Sequence, residues 1–262
     1  MVSKRKRFWL IAISAFVVYA GVTGFLVVRR LHAIDLVREG LALAKSQKHE
    51  QAIAKLDEAL AVESRLLAAQ YGKAASLRAL GKLEEARRLY ESILELMSKS
   101  DRVPALLGDV CCEMRDGLWA EHYYELALER TKNKGVKASV HQGWGGLEYR
   151  CHNYNDAIKH FSKVLRYAPD DPGTLCARAR AYLCLNKPKK ALRDCEASIE
   201  ADPEFVAAYF LKGASLDRLG KTEEALYNYW AFVGSASSYH PDMDAVRTRL
   251  SSQPAVPGAG AH

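Results

Sequence analysis

The side chains in this 262-residue chain best suited to chemistry are its six cysteines and eight histidines. Cys111 and Cys112 are adjacent, so on a helix they point about 100° apart, one towards a core and one away from it. No C-x-x-C pair occurs, which weakens both a zinc-ribbon and a thioredoxin-like reading. Cys151-His152, with His141 and His160, supplies thiolate and imidazole donors of the kind that ligate zinc. Those four are scattered over two expected helices, a spacing that suits unpaired surface and core residues better than a metal site. The sequence holds no phosphate-cradling glycine loop, no nucleophile elbow and no histidine pair flanking a glutamate on one helix turn. The expectation is a chain without catalytic residues, cofactor or metal.

The elements that would carry these residues are legible in the stretch Pro172 to Glu204. Asp170 and Asp171 offer N-cap oxygens ahead of Pro172, whose fixed φ suits a first helical position. Leu175, Ala179, Tyr182 and Leu185 then recur at steps of three and four, one apolar stripe on a helix. Asn186-Lys187-Pro188 breaks that helix and opens a second, with Ala191, Leu192, Cys195, Ser198 and Ile199 at the same spacing. Asp202-Pro203 closes it. The unit is about thirty-four residues long, and it returns. At the eighth position stand Gly40, Ala74, Gly108, Gly145, Ala179 and Gly213. The twentieth is Ala52, Ala86, Ala120, Ala157, Ala191 and Ala225. The twenty-fourth is Leu56, Tyr90, Tyr124, Phe161, Cys195 and Tyr229. One interval, Ala120 to Ala157, is three residues longer than the others and falls on residues 131–135, which read as a lengthened turn.

This pattern resembles the tetratricopeptide repeat. The resemblance implies an all-α, right-handed solenoid of six helix–turn–helix repeats over 33–66, 67–100, 101–137, 138–171, 172–205 and 206–239. In each, positions 8 and 20 are small because the two helices approach closely there. One repeat cannot bury its apolar faces alone, so neighbours stack. Two residues depart from the pattern: Glu148, where an apolar residue is usual, and Phe232, where a small one is common. Residues 240–250 read as a short capping helix, with Asp early and Arg late in accord with the helix dipole. Residues 251–262 read as a disordered tail by composition.

The formal net charge of +7 invites a nucleic-acid reading, but its location argues against one. Lys4, Arg5, Lys6, Arg7, Arg29 and Arg30 are six of the basic residues, and residues 1–30 contain no acid, so residues 31–262 hold 32 basic against 31 acidic side chains. Residues 1–7 form a basic flank to an uncharged run of 21 residues, Phe8 to Val28. That run is long enough to cross a bilayer as a helix, so the expectation is a single-pass anchor with the lipid bilayer as a partner. The alternative is a signal peptide cleaved after Val18-Tyr19-Ala20. Charge counting favours an exported body, whereas six thiols without need of pairing favour a reducing compartment. From Phe25 to Leu43 only Gly40 weakens a helix, so the apolar helix is expected to run unbroken into the first repeat.

The family resemblance also implies where a partner would sit. First-helix positions 2, 5, 9, 12 and 13 line a concave groove for an extended peptide or a helix. Carried over, the candidates are Tyr71, Arg78, Asp109, Glu113, Gln142, Tyr149, Arg150, Arg180, Phe210, Asp217 and Arg218, with Ala75, Cys112, Gly146, Cys176 and Cys184 beside them. Aromatics mixed with Arg are what interaction surfaces tend to hold. The Lys and Asn clamp of chaperone-binding members is missing: positions 5 and 9 of the first three repeats read Val37, Leu41, Tyr71, Ala75, Ala105 and Asp109. The expected function is a membrane-anchored scaffold or adaptor that binds a protein. Its rivals are a targeting or import receptor on an organelle surface, the regulatory module of an enzyme system, and a metal- or haem-handling module.

Overall fold

The structure is a computed structural model that describes residues 4–235 and 242–251, with side chains described from residue 23 onwards. Its described residues form thirteen α-helices and no strand. The chain divides into two compact units, residues 1–116 and 117–262. The first contains α1 (Lys4–Lys45), α2 (His49–Val62), α3 (Leu67–Ala79), α4 (Leu83–Leu96) and α5 (Arg102–Glu113). The second contains α6 (Gly117–Arg130), α7 (Lys134–Arg150), α8 (Tyr154–Val164), α9 (Pro172–Cys184), α10 (Pro188–Ala201), α11 (Val206–Arg218), α12 (Thr222–Ser235) and α13 (Met243–Ser251). Within each unit sequence neighbours pack together, and first helices also touch one another: α1 meets α3, α7 meets α9 and α9 meets α11.

The periodicity is written into the backbone as firmly as into the side chains. Gln47, Gly81, Arg115, His152, Asn186 and Gly220 all have positive φ, between 52° and 75°. Each occupies the fifteenth position of its repeat. The next residue then donates its N–H five residues back: Lys48 to Leu43, Lys82 to Leu77, Asp116 to Cys111, Asn153 to Glu148, Lys187 to Tyr182 and Lys221 to Leu216, at 2.8 to 3.0 Å. This is the Schellman closure, in which one left-handed residue lets the last helical carbonyls find donors. Six copies of it turn six first helices into second helices.

Packing explains the small residues, though at position 8 by a different contact from the one expected. All six position-20 alanines are fully buried. A Cβ added to Gly145 would lie 2.7 Å from Phe161 Cε1, one on Gly213 2.6 Å from Tyr229 Cε1, and one on Gly40 2.7 Å from Leu56 Cγ. Position 8 is therefore small chiefly to seat the large side chain at position 24. At Gly40 the backbone of position 20 is also close, the Ala52 oxygen lying 3.3 Å from the Cβ site. The lengthened turn after α6 is irregular over residues 131–133 and helical from Lys134: Asn133 accepts from the Gly135 and Val136 N–H groups, so α7 starts early and spans 17 residues. Phe232 is fully buried, its ring 5.7 Å from that of Phe210 and clustered with Met243 and Val246 of α13.

The membrane anchor expected over residues 8–28, with its lipid-bilayer partner and membrane location, is overturned. Among the described residues no helix is long and apolar enough to cross a membrane. α1 is continuous, but its described part carries Arg29, Arg30, Asp35, Arg38 and Glu39 in close succession. Residues 8–22 of the expected span, including the alternative cleavage site, lie outside the residues whose side chains are described. So do residues 1–7, residues 236–241 and the tail from 252 onwards.

Candidate protein-binding surface

In the first unit the candidate side chains sit on α3 and α5. Arg78 donates through Nε and Nη2 to Glu113 Oε1 at 2.9 and 2.7 Å, and through Nη1 to Asp109 Oδ2 at 3.3 Å. Burial alone would lower the Arg78 pKa, but the bond to Glu113 and the two carboxylate charges raise it. Three of the expected recognition residues are thus committed to each other, tying α3 to α5. Tyr71 is half-buried and meets the ring of Tyr90 edge-on at 6.2 Å. Burial pushes the Tyr90 hydroxyl up to about 12.

In the second unit the candidates lie on α7, α9 and α11. Gln142 Oε1 accepts from Thr174 Oγ1 at 2.8 Å, joining α7 to α9. Tyr149 OH lies 3.6 Å from Cys184 Sγ and its ring is edge-on to Tyr154 at 5.4 Å. Burial first, and then the Cys184 contact, push the Tyr149 hydroxyl up to about 12. Arg150 and Arg218 are exposed, and Arg218 Nη1 donates to the Leu183 carbonyl, joining α11 to α9. Arg180 Nη2 reaches Asp242 Oδ2 at 3.1 Å. Asp217 accepts from Arg249 Nε and Nη2 at 2.9 and 2.8 Å and from the Tyr229 hydroxyl at 3.1 Å. The Arg249 bond is the main reason its carboxyl is held below the usual range. Phe210 packs on Tyr229 and Phe232, serving the core as much as the surface.

Several thiols lie elsewhere than expected. Cys112 is buried along with Cys111, and Cys176 is buried with its Sγ 3.4 Å from Ser198 Oγ, so neither Cys112 nor Cys176 lines the surface. The histidines separate in the same way. His141 Nδ1 lies 3.2 Å from His160 Nδ1, with Trp144 stacked on His160 at 4.6 Å, whereas His152 bonds the Tyr154 hydroxyl at 2.8 Å. Among the described residues no group of three or more His, Cys, Asp or Glu could hold a metal ion. Glu148, the departure from the repeat pattern, accepts from Trp144 Nε1 at 3.2 Å and from Asn153 Nδ2 at 2.9 Å, linking α7 to the turn ahead of α8. Repeat positions pointed to none of Asp242, Arg249 or Thr174: the first two lie beyond the last period and the third at an unlisted place in its helix.

A family model described as "Tetratricopeptide repeat" matches residues 37–101, and one described as "Anaphase-promoting complex, cyclosome, subunit 3" matches residues 150–230. The chain carries tetratricopeptide repeats. Among curated relatives it is 32% identical over 108 residues to the heat shock protein sti1 homolog of Schizosaccharomyces pombe, covering 41% of this chain and 18% of that one. It is 35% identical over 81 residues to outer dynein arm-docking complex subunit 4 of Mus musculus, covering 31% and 13%. The repeats thus span less than a fifth of the length of either relative. Among solved structures, PilW, a widely conserved type IV pilus biogenesis factor, matches at a TM-score of 0.72 and 15% identity, covering 82% of this chain and 98% of that one. At that identity the likeness concerns the fold.

Proposed function

We propose that this tetratricopeptide-repeat protein is a scaffold or adaptor that binds another protein as an extended peptide or helix along its first-helix faces. The observation that carries this is the surface of α7, α9 and α11. There Gln142, Tyr149, Arg150, Arg180 and Arg218 share one face on helices held in fixed spacing by the Gln142–Thr174 and Arg218–Leu183 bonds. Arg and Tyr are residues in which binding energy concentrates, and on rigid helices little backbone freedom is lost on binding. The relative whose name denotes a docking-complex subunit agrees with this class of function. The test is affinity capture with the full chain carrying Tyr149→Ala and Arg150→Glu, compared with the parent. Loss of the protein captured by the parent is expected, and undiminished recovery would remove the reading.

A further inference from the structure

Two ion pairs join the surface of the second unit to a segment outside the repeats. Asp242 meets Arg180 of α9 at 3.1 Å, sixty-two residues away in sequence, and Arg249 grips Asp217 of α11 with two bonds at 2.8 and 2.9 Å. Asp242 and Arg249 are seven residues apart, two helical turns, and so share one side of the segment. Between them Met243 and Val246 are buried, clustered with Leu216, Tyr229 and Phe232, and Leu250 packs at the edge. The acid stands at the start of α13 and the base near its end, the polarity that the helix dipole favours. The first unit differs. There the position-12 Arg78 and the position-9 Asp109 of the next repeat satisfy each other. In the second unit, the position-9 Arg180 and position-12 Asp217 find their partners outside the repeats.

We infer that residues 242–251 are a built-in occupant of the α9–α11 surface, and that a partner docking there presents the same chemistry: an amphipathic helical segment with an acidic residue first, a basic residue seven positions on, and apolar residues between. This rests on the function proposed above and specifies its partner. Arg180 and Asp217 accept a carboxylate and a guanidinium in this order and spacing, so a competing helix that carries them gains both pairs on displacing α13. A nine-residue helix is too short to persist alone, and its hold comes from these contacts. Its tether gives it an effective concentration on the order of millimolar, so an untethered segment binds weakly until the built-in one is released.

The test uses the full chain and a fluorescent peptide with the sequence of residues 242–251, titrated to millimolar and followed by anisotropy. Asp242→Arg with Arg249→Glu releases the built-in segment, and this double variant should bind the peptide at least ten-fold more tightly than the parent. Adding Arg180→Asp and Asp217→Arg restores opposite charges within the chain, so the quadruple variant, titrated with the peptide whose two charges are exchanged to match its surface (Asp242→Arg, Arg249→Glu), should return to the parent's weak binding. That recovery also separates release from misfolding. Equal binding by parent and double variant, or none by the double variant, would overturn the inference, as would a quadruple variant that stays open. The proposed function stands or falls separately, on capture that depends on Tyr149 and Arg150, neither of which touches this segment in the pairs described.

Discussion

Gly145 and Gly146 are neighbours in the middle of α7, and the same substitution should stabilise the chain at Gly146 but not at Gly145. Replacing a mid-helix glycine by alanine favours the helix by about 0.8–1.0 kcal/mol through propensity alone. At Gly146 nothing lies within 4 Å of the added Cβ, so Gly146→Ala should realise most of that gain. At Gly145 the Cβ would stand 2.7, 2.9 and 3.2 Å from Cε1, Cδ1 and Cζ of Phe161. Optimal carbon contacts lie at about 3.5–4.0 Å, so the ring must retreat by several tenths of an ångström or more. That ring is only 3% exposed, with little room to move into. Overpacking of this kind costs about 1–3 kcal/mol, so Gly145→Ala should end neutral to about 2 kcal/mol less stable than the parent. The two variants should then differ by about 1–3 kcal/mol in equilibrium urea unfolding. Combining Gly145→Ala with Phe161→Leu should cost less than the two single changes together, because the smaller side chain frees the space. If Gly145→Ala proved as stabilising as Gly146→Ala, the seating of position 24 on position 8 would be refuted.

Three further outcomes follow from the same structure. His141 is buried and held neutral, its pKa pushed down to about 4 by burial first and then by Lys163, His160, Lys137 and Arg166. His160 is lowered too, by burial and Lys163 against the opposing charges of Glu148 and Asp156. The unfolded chain therefore takes up protons between about pH 6.5 and 4 that the folded chain refuses, and His141 alone should remove about 2 kcal/mol between pH 7 and 5. A urea midpoint that fell equally in a His141→Gln variant would contradict this. Of the six free thiols, Cys151 and Cys184 are exposed and the other four buried, with the Cys111 thiol pushed up to about 11 by burial. A thiol reagent should count two in the native chain and six in denaturant, and four fast native reactions would contradict the packing. Arg115 is exposed in the left-handed region at φ 63°. Arg115→Gly should raise stability by about 0.5–1 kcal/mol in the same assay, since relief of a left-handed Cβ clash of about 1–2 kcal/mol outweighs the about 0.4–1 kcal/mol that glycine's freedom gives the unfolded chain; a loss would deny that the turn is strained.

The fold was legible because the repeat imposes its constraints at side chains: a burial requirement that recurs every thirty-four residues leaves alanine in six places, and no other arrangement explains that. The backbone constraint was harder to see. Of the six left-handed residues that close the first helices, Gly81 and Gly220 signal the conformation, and Asn186 and His152 tolerate it, but Gln47 and Arg115 carry no such mark. Their geometry is enforced by the packing of the helices on either side. Sequence periodicity also placed the candidate residues on first helices, but position within a repeat did not fix exposure, since Cys112 and Cys176 are buried. It could not say which charges would be consumed internally. Arg78 looks like a recognition residue by position and is an internal tie by geometry, because Asp109 and Glu113 come within reach only when α5 packs beside α3. Glu148 was opaque for the same reason: its partner Asn153 belongs to the turn, which no repeat position describes.

The contrast between the units bears on where a partner can gain energy. A ligand that must break Arg78 from Asp109 and Glu113 leaves two partly buried carboxylates without their cation, and the loss offsets much of any new contact. On α9 and α11 the account differs, because both charges are already satisfied by groups that can leave as one piece. Displacing α13 frees Arg180 and Asp217 together, and it releases Asp242 and Arg249 into water, where both are readily solvated. The exchange trades like for like in charge, so its net free energy depends on how well the incoming apolar residues cover Leu216, Tyr229 and Phe232. Fully burying a Leu or Phe side chain is worth about 1.5–3 kcal/mol, so replacing Val246 by a larger apolar residue in the free peptide should strengthen its binding until the cluster is filled. Specificity on this surface is thus set by shape at the apolar centre, with the two ion pairs fixing direction and register.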